Sequence, residues 1–94
     1  MKKLTFIYLN GCPYCAKAQK AFDTLLDSNE EYKKIEIDAV EENSNPEKIA
    51  NLDYYHVPTY YVEDKKVFEA SPGDSYEVIE AATKKALDIA LSEI

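Results

Sequence analysis

Leu4-Thr5-Phe6-Ile7-Tyr8-Leu9-Asn10-Gly11-Cys12-Pro13-Tyr14-Cys15 is the stretch on which the reading of the fold turns. Its first six residues are apolar and rich in aromatic and β-branched side chains, as in a buried strand. Asn10-Gly11 is a breaker pair that stops this strand. From Pro13 onward the spacing becomes helical, with Cys15, Ala18, Phe22, Leu25 and Leu26 on one face. Proline suits the first helical position because the amide it lacks would have found no partner there. Cys12 therefore lies at a strand-to-helix junction, close to the helix cap, and Cys15 lies one turn inside.

Reading outward, Asp27-Ser28-Asn29 ends the helix, and Tyr32 to Asp38 reads as a second strand with Ile35 and Ile37 alternating against charged neighbours. Asn45-Pro46-Glu47 supplies a cap, a first-position proline and an early acid, which predicts a short helix to about Asp53. Thr59 to Val62 and Lys66 to Ala70 form two short runs around Glu63-Asp64-Lys65, a hairpin pattern. Ser71-Pro72-Gly73-Asp74 turns the chain. Asp74 and Glu77 are spaced as a capping box for a last helix carrying Val78, Ile79, Ala82, Ala86 and Ile89 on one face to the C-terminus. The order β-α-β-α-β-β-α predicts one α/β domain over residues 1–94. Its mixed four-stranded sheet has helices on both faces, a right-handed parallel crossover first and an antiparallel hairpin last.

Composition excludes several partners. The net charge of −7 argues against nucleic acid, whose affinity comes from lysine and arginine on phosphates. No stretch approaches the ~18 apolar residues of a membrane span. The charge is uneven: residues 1–22 hold Lys2, Lys3, Lys17 and Lys20 and no acid, whereas Asp27 to Asp53 carries nine acids against Lys33, Lys34 and Lys48. The acidic stretch reads as a solvated face. Met1-Lys2-Lys3 before an apolar run of six resembles a leader, but the run is too short, and cleavage would remove the strand. A cytoplasmic location is expected, where a cysteine pair is catalytic or metal-binding rather than structural.

A helix start presents unpaired amides and the positive end of the helix dipole, which favour a thiolate at Cys12. Lys17 and Lys20 on the same helix are expected to add a weaker field. Cys15 is placed to attack a bond formed at Cys12 and is expected to be more buried. The predicted chemistry is two-step thiol–disulfide exchange: Cys12 forms a mixed disulfide, and Cys15 resolves it. A metal site within one chain is not expected, since zinc takes four ligands and His56 is the only histidine. A zinc or iron–sulfur site shared between chains, or two cysteines acting only as small buried apolar residues, are the alternatives.

Asn10-Gly11-Cys12-Pro13-Tyr14-Cys15 resembles the active-site motif of glutaredoxins, which commonly read Cys-Pro-Tyr-Cys. Val57-Pro58-Thr59 resembles the cis-proline loop of the thioredoxin superfamily, and the 43 positions from Cys15 to Pro58 match its usual spacing. With the element order, the resemblance covers essentially the whole chain. It implies the thioredoxin fold, a cis Val57–Pro58 bond, and a substrate site formed by Pro13, Tyr14, Val57 and Pro58 beside Cys12 and Cys15. The backbone at Val57 would pair with the substrate as an added strand does. The implied partners are disulfide-containing proteins or small disulfides, acted on by a monomer with no bound cofactor, and glutathione or a flavoprotein reductase as electron donor.

Departures from the family bear on glutathione. The lysine that glutaredoxins usually carry three residues before the first cysteine is Leu9 here. The Gly-Gly-Asp that cradles the γ-glutamyl end is replaced by Ser71-Pro72-Gly73-Asp74-Ser75, where Asp74 reads as a helix cap, with part of the cradling by Gly73 and Asp74 as the alternative. The tryptophan and buried aspartate typical of thioredoxins are Gly11 and Phe6. Tyr14 is the expected substrate contact, Tyr54 and Tyr55 either flank the groove or close the second helix, and one of Tyr60 and Tyr61 should face the core. His56 reads as an exposed loop histidine, with proton transfer to a leaving thiolate as its functional alternative. A non-catalytic module holding a peptide, or a metal or iron–sulfur site between chains, is the competing function.

Overall fold

The computed structural model describes residues 2–92. The apolar N-terminal run forms β1 (Leu4–Tyr8), and because Leu4, Thr5, Phe6 and Ile7 are all buried it takes an interior place in the sheet. Strand order is β2-β1-β3-β4. β2 (Ile37–Glu41) runs parallel to β1, with Leu4 opposite Ile37 and Tyr8 opposite Glu41. β3 (Thr59–Val62) pairs antiparallel with the other side of β1, Leu4 facing Val62. β4 (Lys65–Glu69) closes the hairpin, with a register irregularity between Tyr60 and Tyr61. The architecture is the expected mixed α/β sheet.

Strand alternation sends successive side chains to opposite faces. Leu4, Phe6, Tyr60 and Val62 point to one face, which α1 (Pro13–Ser28) and α3 (Tyr76–Ser92) cover with Ala18, Phe22, Ile79, Ala86, Leu87 and Ala90. Ile7, Val40 and Tyr61 point to the other face, against Ile49 of the one-turn α2 (Pro46–Ile49). Aromatic rings knit the larger core: Phe22 lies 5.0 Å from Phe6 and 5.2 Å from Tyr60, and Tyr60 lies 5.2 Å from Phe68, centroid to centroid. The Tyr60 hydroxyl is buried and within 2.6 Å of Thr83 Oγ1. Since Thr83 donates its own proton to the Ile79 carbonyl at 2.7 Å, Tyr60 is the donor in that pair. No helix among the described residues is long and apolar enough to cross a membrane.

Four expectations are corrected. Tyr32 to Asp38 is not one strand: Glu30–Lys34 is a 3₁₀ turn that buries Tyr32, and β2 begins only at Ile37. Ile35 is buried as the residue closing that turn, so its apolar character marks a packing point rather than a strand phase. The second helix is four residues long, short of Asp53, and the Asn45 side chain makes no cap hydrogen bond. Lys65 belongs to β4, so the hairpin turn is Glu63-Asp64, with Glu63 in the left-handed region at φ 55°.

At α3 the cap is Ser75, whose Oγ accepts the Val78 amide at 3.3 Å. The Asp74 carboxylate instead accepts the Ser71 amide at 2.8 Å and closes its own turn. The buried face of α3 is Ile79, Thr83, Ala86, Leu87 and Ala90, while Val78 is 48% exposed. The expected run of α3 to the C-terminus lies outside the described residues beyond Ser92. Tyr60 and Tyr61 both turn out to be buried, one on each face of the sheet.

Removing the Tyr60 hydroxyl leaves Thr83 bonded to Ile79, so Tyr60→Phe should cost about 1 kcal/mol. Phe22→Ala empties the centre of the aromatic cluster and should cost about 3–5 kcal/mol. Urea unfolding followed by circular dichroism checks both, the second midpoint falling several times further than the first.

Candidate active site

The site is built where β1 hands over to α1. Gly11 adopts φ 85°, a conformation that strains any residue with a Cβ, and this turn swings Cys12 to the start of the helix. Cys12 is the N-cap in extended geometry (φ −83°, ψ 119°), and its Sγ accepts the Cys15 amide at 3.3 Å. The Cys12 amide in turn reaches the Leu9 carbonyl at 3.3 Å. Cys12 is half-buried and Cys15 is 4% exposed, and both are free thiols. Burial pushes the Cys15 thiol up to about 12, and its contact with the Cys12 side chain adds to this, against the Leu9 amide that points at its sulfur from 3.5 Å. The two sulfurs thus differ in setting: one half-buried on the helix start, one buried and protonated beneath it.

Opposite Cys12 stands the Val57–Pro58 loop, with a cis peptide bond between the two. The Cys12 thiol lies 3.9 Å from the Val57 carbonyl, and the Val57 amide has no hydrogen-bond partner among the described residues. The loop is held from behind. Glu69 Oε2 accepts the Tyr55 amide at 2.6 Å and the His56 amide at 2.7 Å, while its other oxygen pairs with Lys66 at 2.7 Å. Lys66 foremost, then the two amides, hold the Glu69 carboxyl below its usual range. Pro58 itself is tied by its carbonyl, which accepts the Ala70 amide at 3.0 Å.

A groove of about 290 Å³ runs beside this loop, lined by Leu9, Tyr14, Glu42, His56, Val57 and Pro72 among others. A second groove of about 460 Å³, bordered by Tyr8, Gly11, Ala16 and Gln19, reaches Cys12 and Cys15 from the other side. Tyr14 stands in the first groove with its hydroxyl accepting the Gly73 amide at 2.8 Å. Lys17 covers the Tyr14 ring at 5.1 Å and donates to the Asp74 carbonyl at 3.4 Å. Lys20 lies 5.3 Å from the Tyr76 ring. Both lysines therefore have partners along the 71–76 segment.

The remaining residues singled out from sequence divide clearly. Pro13 is exposed at the first helical position. The Tyr54 hydroxyl donates to Glu42 at 2.5 Å, and burial, then this carboxylate, raises its pKa. Tyr55 is 84% exposed on the rim. The Tyr61 hydroxyl accepts the Asp53 amide at 3.0 Å and donates to the Asp53 carbonyl at 2.9 Å, so Tyr61 closes the segment after α2. His56 is exposed, as expected, and contributes its backbone to the loop anchor.

Three acids that the sequence left in the background matter here. Glu41, at the end of β2, is only 6% exposed and accepts the amides of Asn10 (3.2 Å), Asn43 (2.9 Å) and Ser44 (2.8 Å). It ties the Cys12 turn to the loop after β2, and the Asn10 amide foremost holds its carboxyl below the usual range. Glu42 and Glu69 were likewise unmarked. The signal that could have found Glu41 is the run Val40-Glu41-Glu42 at a strand end facing the Asn10-Gly11 turn, where an acid meets unpaired loop amides.

No protein-family model and no curated protein sequence matches the chain. Solved structures do. The structure of thioredoxin 1 from the thermophilic eubacterium Thermosipho africanus TCF52B superimposes with a TM-score of 0.58 at 19% identity, over 93% of this chain and 96% of that one. The structure of a malarial protein gives a TM-score of 0.58 at 17% identity, over 89% and 94% of the two chains. The likeness is one of fold, and the chain has the thioredoxin fold.

Brief iodoacetamide treatment of the reduced protein near neutral pH should label Cys12 and spare Cys15, because Cys15 is buried and stays protonated until the pH approaches about 12. Peptide mass mapping reads this out, and equal labelling of both would contradict the geometry. Glu41→Ala should lower the urea midpoint at neutral pH. A carboxylate whose folded pKa is depressed stabilises above its unfolded value and loses that contribution as pH falls through the folded one. The gap between wild type and Glu41→Ala should therefore close on acidification.

Proposed function

We propose that the protein is a glutaredoxin-like thiol–disulfide oxidoreductase of the cytoplasm that reduces disulfides in proteins or small molecules. The observation that carries this reading is the placement of Cys12 Sγ: it caps α1, accepts the Cys15 amide, and faces the Val57 carbonyl of the cis-proline loop. A helix start stabilises negative charge on the sulfur that attacks and on the sulfur that leaves it later.

In the reductive direction the Cys12 thiolate attacks one sulfur of a substrate disulfide. The substrate S–S bond breaks, a Cys12–substrate disulfide forms, and the leaving thiolate takes a proton. Cys15 then gives up its proton and attacks Cys12 Sγ, which expels the second substrate thiol and leaves a Cys12–Cys15 disulfide. Two electrons and two protons have passed to the substrate. An external thiol reductant, either glutathione or a dithiol delivered by a flavoprotein reductase, returns them. Burial, which raises the Cys15 pKa, leaves Cys12 as the sulfur that meets substrate first.

Substrate positioning falls to Pro13, Tyr14, Val57 and Pro58. The unpaired Val57 amide and its carbonyl suit an extended peptide added alongside, with main-chain hydrogen bonds supplying orientation. Both cysteines and the loop come from one chain, so the proposed chemistry needs no second copy.

Turnover of a small mixed disulfide with glutathione, glutathione reductase and NADPH tests the reading, beside insulin reduction coupled to a thioredoxin reductase. Cys12→Ser should fall to background in both. Cys15→Ser should accumulate a mixed disulfide with a protein substrate, visible by mass spectrometry, and full activity in Cys12→Ser would overturn the assignment.

A further inference from the structure

We propose that the groove beside the Val57–Pro58 loop takes a lysine or arginine side chain flanking the disulfide of a polypeptide substrate held at Cys12, and that Glu42 is the residue that selects it. The inference rests on the oxidoreductase reading and deepens it, since it names the substrate class of the same site.

Charge comes first. Among the residues lining the groove, Glu42 is the one carboxylate and there is no lysine. The chain contains no arginine at all. Glu42 makes no ion pair among the described residues; its Oε1 takes the Tyr54 proton at 2.5 Å, and its other oxygen has no partner. Lys17, the nearest lysine along α1, is engaged by the Tyr14 ring and the Asp74 carbonyl. Glu69, behind the loop, is matched by Lys66.

The wall formed by the 71–74 turn also offers no backbone donor to an anion. The Ser71 amide goes to the Asp74 carboxylate, residue 72 is proline, the Gly73 amide goes to the Tyr14 hydroxyl, and the Asp74 amide goes to the Ser71 carbonyl. A turn whose amides are all internally consumed offers nothing to a ligand carboxylate. A small disulfide bearing carboxylates would thus meet Glu42 and no compensating charge. A cation meets Glu42 in a groove that the exposed Tyr55 also lines, and carboxylates and aromatic rings both attract an ammonium or guanidinium.

Size points the same way. At about 290 Å³ the groove lies at the small end of ligand sites, which run to roughly 300–1,000 Å³, and suits one long side chain rather than a whole small molecule. The Val57 backbone beside it provides the edge along which the rest of the peptide would lie, with its disulfide at Cys12, 3.9 Å from the Val57 carbonyl.

The test uses three peptides that differ only in the residues flanking a cysteine joined to a chromogenic thiol: lysine, alanine or glutamate. With dithiothreitol as reductant and low salt, wild-type kcat/KM should favour the lysine peptide over the glutamate peptide by about tenfold, as one poorly screened charge pair allows. Glu42→Gln should bring that ratio to about twofold, through KM rather than kcat. Glu30→Gln, a distant surface change of equal charge, should leave it near tenfold. Tyr55→Ala, at an exposed position that cannot unfold the chain, should raise KM for the lysine peptide about two- to fivefold.

Equal use of the lysine and glutamate peptides would overturn the proposal, as would a preference that survives in Glu42→Gln or disappears in Glu30→Gln. Oxidised glutathione used as well as the lysine peptide would overturn it too. Nuclear magnetic resonance titration with the serine versions of the lysine and glutamate peptides gives an arm independent of redox chemistry: shifts at Glu42 and Val57 with the lysine peptide alone support selection, and equal shifts or none overturn it. Turnover of the alanine peptide that persists in Cys12→Ser would instead sink the oxidoreductase reading.

Discussion

The Cys15 amide donating to Cys12 Sγ is the contact on which the site depends, because it makes a sulfur the cap of α1. Helix caps are ordinarily oxygen acceptors from serine, threonine, aspartate or asparagine. Placing a thiol there gives up part of that stabilisation and directs the helix's unpaired amides at a reactive atom. The arrangement holds only if α1 is fixed by other means. Ala18, Ala21 and Phe22 are buried along its inner face, and Phe22 sits inside the aromatic cluster with Phe6 and Tyr60. Tertiary packing therefore carries the helix, and the cap is released for chemistry.

Three loops surround the sulfur, and each is held by an acid that accepts backbone amides. Glu41 takes Asn10 on the turn before Cys12, Glu69 takes Tyr55 and His56 on the cis-proline loop, and Asp74 takes Ser71 on the turn before α3. Charge-assisted hydrogen bonds of this kind are roughly twice as strong as neutral ones, so short loops gain rigidity without extra core. This explains how a chain of 94 residues with a modest interior holds its groove in shape. It also means that part of the net negative charge is internal scaffolding.

The fold was largely legible because its deciding signals are local. An apolar six-residue run, a glycine that must adopt positive φ, a proline at the first helical turn and a hairpin spacing each constrain the backbone directly, and the element order followed. Errors arose where a nearby pattern competed with a distant contact. Ile35 and Ile37 alternate like a strand, yet Tyr32 is drawn into the core beside α3, where its hydroxyl meets Asp88, and the 3₁₀ turn follows from that burial. Asp74 and Glu77 are spaced as a capping box, yet Ser75 takes the cap because the Asp74 carboxylate is committed to Ser71. Cys12, Cys15 and the Val57–Pro58 loop came together as read. Glu41, Glu42 and Glu69 did not stand out, since a buried or directing carboxylate has the same letter as a solvated one, and only the amides across the fold distinguish them.

Substrate choice in this architecture follows from what the groove walls have left unspent. Tyr14 meets Gly73, and the turn from Ser71 to Asp74 is closed on itself, so that wall has no backbone amide left to offer. Glu42 shares only one oxygen with Tyr54, and the Val57 amide is free. A ligand binds through the groups a protein has not already satisfied, because an unpaired polar group near a low-dielectric wall gains most from a partner. Here those groups are an amide that favours an extended main chain and a carboxylate that favours a cation. Together they are the features on which the proposed preference for a basic polypeptide segment rests, while the cysteine motif itself is compatible with a small acidic thiol as well.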